Sequence, residues 1–162
     1  MGLDIKVLSD ISPLPNATFD EKNYVFTDEH GNTYTDEECW YSDDLKDQDE
    51  AYPGRSLGII GDQIYKYQAS SWKKIGCYQY YSQWCDKLRE HTKNLNTAFD
   101  ELLNFTDCEG VLGPVVCRKL KNDFKLYKKY IKIENDRYFW NTYNKFADAF
   151  KLAGRDGIVI FM

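Results

Sequence analysis

The chain opens on alternation. Leu3, Ile5 and Val7 are separated by Asp4 and Lys6, and an apolar–polar period of two predicts a half-buried strand. Pro13 and Pro15 end it, because proline has no N–H for a ladder. Residues 24–28 and 32–35 flank Glu29-His30-Gly31 and predict a hairpin with glycine at its tip. From Asp36 to Glu50 eight acidic residues face a single lysine, which predicts a solvated loop or a frayed helix. Tyr52-Pro53-Gly54-Arg55-Ser56 is a turn signal. Ile59-Ile60, Gly61-Asp62 and Ile64–Tyr67 predict a second hairpin, and Trp72–Ile75 adds a short strand.

The period changes at Gln79. Tyr81, Trp84 and Leu88 share a helical face. Thr97 is placed to cap a short helix carrying Phe99, Leu102 and Leu103. Gly113-Pro114 opens a further helix, with proline in the first turn where no N–H is needed. Val116, Leu120, Phe124 and Tyr127 form its apolar stripe, opposite Lys119, Lys121, Lys125, Lys128 and Lys129. Phe139, Tyr143, Phe146, Phe150 and Ala153 recur at steps of four and three, and Gly154 is a left-handed stop. Residues 157–161 end the chain as an apolar strand. Strands gather early and helices late. The fold class is therefore α+β: a small, mainly antiparallel sheet that includes both terminal strands, packed against three or four helices. With 162 residues a single domain, 1–162, is expected.

Composition narrows the classes. Aromatics reach 16%, too many for a disordered chain. No run of about 20 apolar residues crosses a membrane, and Asp4 spoils a signal peptide, so the host cytoplasm is the expected location. Five cysteines without a CxxC pair and two histidines offer no zinc pattern, and no cofactor is implied. Net charge is −5 but uneven: residues 1–81 hold 15 acidic and 7 basic residues, a net of −8, whereas residues 82–162 hold 11 and 14, a net of +3. Generic DNA binding is disfavoured by the acidic balance.

Four places carry candidate chemistry. Asn104–Pro114 sets Asp107, Cys108 and Glu109 before a helix start; the carboxylates either bind a ligand or cation, or cap the turn. Cys108 lacks a neighbouring histidine to act as its base. Arg55, beside Ser56, offers a planar fork that suits phosphate or an internal carboxylate. Tyr78 and Tyr80, flanking the core-facing Tyr81, are free to stack on a base. The lysine face of residues 119–132 is either solvated or attractive to an anion. No P-loop, GxSxG, HExxH or GxGxxG pattern is present, so no catalytic or metal residue is assigned. The ligand-binding candidates are Arg55, Ser56, Tyr78, Tyr80, Asp107 and Glu109. Arg55 and the segment 107–110 are expected to lie close together.

The blocks Met1–Ile5, Pro53–Gly58, Gly76-Cys77-Tyr78 with Trp84, and Asn104–Pro114 with Lys119-Leu120 together resemble a family of small phage and prophage proteins. Where members of that family carry Arg-Ala-Gly-Ser-Tyr, this chain has Lys74-Ile75-Gly76-Cys77-Tyr78. The resemblance implies a phage origin and supplies no catalytic residues. Phage proteins of this size often disarm host defences. The leading expectation is a non-enzymatic binding protein that antagonises bacterial immunity by sequestering a nucleotide-derived signal. The alternatives are an inhibitor of a host defence protein acting through the acidic stretch, and a metal-assisted phosphoesterase using Asp107 and Glu109. A nucleotide-like molecule or a defence protein is the expected partner, and homo-oligomerisation stays open.

Overall fold

The computed structural model describes residues 2–43, 45–105 and 109–162. In chain order the elements are β1 (Gly2–Ser9), β2 (Ser12–Pro13), β3 (Thr18–Asp20), β4 (Val25–Thr27), β5 (Thr33–Tyr34), β6 (Cys39–Ser42), α1 (Lys46–Ala51), β7 (Gln63–Lys66), β8 (Ala69–Cys77), α2 (Tyr78–Thr92), α3 (Asp100–Leu103), β9 (Gly110–Leu112), α4 (Pro114–Tyr127), a 3₁₀ turn at Lys128–Tyr130, α5 (Arg137–Ala153) and β10 (Ile158–Phe161). This is an α+β fold with antiparallel sheets. Among the described residues no helix is long and apolar enough to cross a membrane.

The two terminal strands pair at the centre of the main sheet, ordered β8-β1-β10-β9, with Ile5 opposite Phe161 and Val7 opposite Val159. Their composition follows from what covers each face. Leu3, Ile5, Val7, Val159 and Phe161 join the large core under the helices. Leu8, Ile158 and Ile160 face the other way, into a smaller cluster with Tyr67, Val111 and Trp40. β10 is covered on both faces, so its sequence is continuously apolar rather than alternating. A bulge between β1 and β8 pairs Leu3 with Gly76 and Asp4 with Lys74, and Gly76 takes the positive φ of 142° there.

Helix α5 carries its predicted stripe: Phe139, Tyr143, Phe146, Phe150 and Ala153 are all buried. Asp136 caps its start by accepting the Phe139 N–H at 2.8 Å, and Gly154 at φ 71° ends it. Helix α4 begins at Pro114, as the sequence implies. The hairpin of β4 and β5 also forms, with Phe26 opposite Tyr34.

Three local expectations are corrected. Cys39–Ser42 is a strand within the acidic run, because Cys39 and Ser42 are buried and the Ser42 hydroxyl accepts the Gln63 N–H at 3.0 Å. Asp36–Glu38 and Asp43 are exposed as expected, and Lys46–Ala51 forms a helix with no buried residue. The Ile59–Tyr67 hairpin does not form; β7 pairs instead with β2 and β6, and Ile60 lies exposed. The Pro13 strand β2 is an edge, where a missing N–H costs nothing. Thr97 does not cap α3. Phe99 precedes that helix at φ 60°, and its N–H is taken by the buried Asp123 carboxylate of α4 at 2.9 Å. A long-range side chain thus replaces the local cap.

Candidate functional site

The Arg55 turn meets the start of α4 at Gly113, through backbone; of the segment 107–110 expected beside Arg55, residues 107 and 108 lie outside the described residues. The Gly113 N–H donates to the Arg55 carbonyl at 2.7 Å, and the Val115 N–H donates to the Leu57 carbonyl at 3.3 Å. A helix start leaves N–H groups without intrahelical acceptors. Here the Pro53–Gly58 turn supplies one for α4. Gly113 admits the turn because a Cβ there would stand 2.7 Å from the Ser56 carbonyl oxygen. Ser56 is buried and its hydroxyl donates to the Asp49 carboxylate. The Arg55 guanidinium donates from Nη1 to the Pro53 carbonyl at 3.3 Å, while its Nε is buried without a hydrogen-bond partner among the described residues. The Arg55 carbonyl and the Ser56 side chain thus take part in a structural junction. Asp107 lies outside the described residues.

Glu109 is exposed on the rim of a cleft of about 420 Å³ between the β6–α1 region and β9. Asp43 and Asp47 share that rim, and Trp40, Tyr41 and Tyr52 line the cleft. Its wall is fixed by Gln48 of α1. The Gln48 side-chain amide accepts from the Val111 N–H at 2.7 Å and donates to the Val111 carbonyl at 2.9 Å. It covers the free edge of β9 much as a neighbouring strand does. Among the described residues no group of three or more His, Cys, Asp and Glu is placed to hold a metal ion.

The aromatic helix start divides. Tyr80 is 53% exposed and packs on Tyr138 with ring centres 5.5 Å apart. Tyr78 turns the other way and lines a pocket of about 170 Å³ with Tyr81, Ser82 and Cys85 of α2. Leu103 and Phe105, from the segment leading into Asn104–Pro114, close the opposite side. Arg89 and Asp86 complete it. The Arg89 guanidinium is tied by Nη1 to the Asp86 carboxylate and by Nη2 to the Leu103 carbonyl, each at 2.9 Å.

Tyr81 decides the character of this pocket. Its ring is locked in the core, stacked on Trp84 and packed on Phe146 and Phe161. Its hydroxyl is buried beside the Cys85 thiol, a weak hydrogen-bonding partner. Burial, and then the neighbouring Cys85, raise the Tyr81 pKa well above the ordinary value, so the group is a neutral hydroxyl. Tyr78 and Arg89 are its other electrostatic neighbours, and all three of these groups line the same pocket. Burial also pushes the Cys85 thiol up to about 12, so it is a poor nucleophile.

The lysine face forms a separate groove of about 520 Å³ between α4 and α5. Lys121, Lys125, Lys128 and Lys151 stand over Phe124, Tyr143 and Ala147, with Asp148 the acidic residue of the lining. Lys119 leaves this set: its ammonium pairs with Asp123 at 2.7 Å and Glu101 at 2.5 Å.

The five described ligand candidates thus fall in different places. Arg55 and Ser56 stand at a junction, Glu109 rims the cleft, Tyr78 lines the α2 pocket, and Tyr80 faces outward. Tyr81 is in the core, as its helical spacing predicts, while Arg89 and Gln48 carry no signal in the sequence that marks them. No protein-family model, no curated protein and no solved structure matches the chain.

Proposed function

We propose that this is a non-enzymatic binding protein that captures a nucleotide-derived small molecule at the α2 pocket. The observation that carries the reading is the pocket itself, about 170 Å³ between α2 and Leu103–Phe105, with Ser82 and Arg89 as its polar lining beside the rings of Tyr78 and Phe105. The raised Cys85 thiol supports binding over covalent chemistry. The sequence resemblance to small phage proteins supports a role in antagonising bacterial immunity, where holding a signal intact is sufficient. The test is native mass spectrometry of the purified protein after incubation with cyclic nucleotides and NAD-derived signals. One member of the panel is retained, and denaturation releases it chemically unchanged. Retention of none, or release of a changed product, overturns the reading.

A second reading is favoured by the cleft. Asp43, Asp47 and Glu109 border an aromatic-lined space that suits a basic side chain of a host protein. Replacing Asp43 and Asp47 with Asn weakens capture of such a protein and leaves small-molecule retention intact. Equal retention of the host protein by both forms removes this second reading.

A further inference from the structure

We infer that the outer edge of β8 is a docking site for an extended acidic segment of a partner protein, which adds to the main sheet as a further strand. This edge shares no residue with the α2 pocket and stands apart from the reading above.

The direction of the backbone makes the edge available. β8 and β9 are the two edges of the main sheet, and Gln48 covers that of β9. β8 runs for nine residues and pairs with β1. Asp4 exchanges both of its backbone hydrogen bonds with Met162, each at 3.0 Å, so Asp4, Lys6 and Leu8 point towards β10. Ile5, Val7 and Ser9 then point towards β8, opposite Lys73, Ser71 and Ala69. Alternation turns the N–H and C=O groups of Ser70, Trp72 and Lys74 the other way, out of the sheet. The Lys74 carbonyl lies accordingly, since it accepts from the Lys145 ammonium of α5 at 2.6 Å. Ser70 and Trp72 keep the open positions, and no strand among the described residues pairs with β8 on that side.

The side chains select the occupant. Trp72 is 61% exposed, and the Lys6 ammonium stands 5.7 Å from its ring centre and from that of Tyr67. Lys73, Lys74 and Lys145 join Lys6 around the edge. Among the described residues none of these four lysines forms an ion pair. Such lysines repel a basic strand, and pairing β8 with a second copy of itself brings two sets of them together. An acidic strand meets the opposite outcome. Its backbone takes the open groups of Ser70 and Trp72, its carboxylates face the lysines, and an aromatic or β-branched residue lies against Trp72.

Two capped synthetic peptides test this in titrations of the purified protein followed by amide hydrogen exchange. One alternates Glu with Val and Tyr; the other has Lys in place of Glu. The Glu peptide binds, more weakly as salt is raised, and slows exchange at the Ser70 and Trp72 amides; the Lys peptide does not bind. Ser70→Pro removes an outward N–H without touching the β1 ladder, and weakens the Glu peptide at least about tenfold. Replacing Lys73 and Lys74 together with Glu reverses the preference between the peptides, and keeps the test open should Ser70→Pro lose its fold. Equal binding of both peptides, binding of neither, or binding that leaves the Ser70 and Trp72 amides and both variants unaffected overturns the inference. Protection of those amides that rises with protein concentration alone also overturns it, since a second copy then fills the edge.

Discussion

The junction at Gly113 and the pocket at Tyr81 contain similar materials and reach opposite outcomes. Each joins a turn or loop to the start of a helix, and each places polar groups beside aromatic core. At Gly113 the backbone is saturated: Arg55 and Leu57 carbonyls take the N–H groups of Gly113 and Val115, and no space remains for a methyl group. At Tyr81 the hydroxyl is buried beside the Cys85 thiol, and a pocket of about 170 Å³ is left along the helix. Close packing with backbone hydrogen bonds made is what stability selects. The junction carries a cost of its own, since the Arg55 Nε is buried there with no partner among the described residues. Packing separates the two places where residue types do not, since an arginine and a serine stand at both.

The largest effect expected is at the junction. Gly113→Ala forces its Cβ into the Ser56 and Leu57 backbone, which no side-chain rotation relieves. It destabilises the protein by at least about 3 kcal/mol, read as a lower midpoint in urea unfolding. An unchanged midpoint would mean the turn is not seated on α4. Asp123 comes next. Its carboxylate holds the Phe99 N–H and the Lys119 ammonium in a buried setting. Asp123→Ala strands the Phe99 N–H, leaves Lys119 to Glu101 alone among its carboxylates, and costs about 2–3 kcal/mol. Asp123→Asn keeps an acceptor for Phe99 and costs clearly less, and equal losses from the two substitutions would refute the capping role.

These two residues also mark how far the sequence could be read. The terminal strands, α4 and α5 were legible because each is written in a local period: two for β1, and three and four for α5. Their packing then obeys the covered faces. What was illegible depends on distance along the chain. Asp123 caps a turn 24 residues away, and Gln48 covers a strand 63 residues away. Neither leaves a local signature, since Asp123 sits within an ordinary helical pattern and Gln48 inside an acidic run. The Ile59–Tyr67 hairpin failed for the same reason: β6 and β2 outcompeted the nearer segment for β7. At the tyrosine-rich helix start the helical period was legible, since Tyr81 packs in the core and Tyr80 is exposed; that Leu103 and Phe105 close a pocket against Tyr78 left no local signature.

Gln48→Ala sharpens the comparison at intermediate size. It removes both hydrogen bonds to Val111, at the half-buried edge of β9. The cost is about 1–2 kcal/mol, with faster amide exchange at Val111 than elsewhere in the sheet. Uniformly accelerated exchange across the sheet would argue against an edge-covering role. Two tyrosines then give the cleanest contrast. The Tyr143 hydroxyl donates to the Phe124 carbonyl at 2.7 Å in the core, whereas that of Tyr81 is buried beside the weakly bonding Cys85 thiol. Tyr143→Phe costs about 1 kcal/mol, and Tyr81→Phe clearly less. Equal losses from the two substitutions would show that the Tyr81 hydroxyl is held as firmly as that of Tyr143.

The smallest effect tests complete satisfaction in the open. At the tip of the β4–β5 hairpin the Asp28 carboxylate accepts from the Asn32 side chain, the Asn32 and His30 N–H groups and the Tyr34 hydroxyl, each at 2.9 Å. The Asn32 side-chain bond leads in lowering its pKa to about 2, against the desolvation that opposes it. Because the folded value lies below the unfolded one, Asp28 stabilises the hairpin at pH values above about 4, the usual carboxylate range. That contribution is lost as the pH falls through 2. Proton NMR of the Asn32 side-chain amide and the Tyr34 ring follows it: both titrate with a midpoint near 2, while the Tyr81 ring, remote in sequence and buried, is unmoved at that step. The hairpin is exposed, so the change stays local and the far-UV spectrum of the helices persists. A midpoint near the ordinary aspartate value would show that the four donors do not hold the carboxylate together in solution.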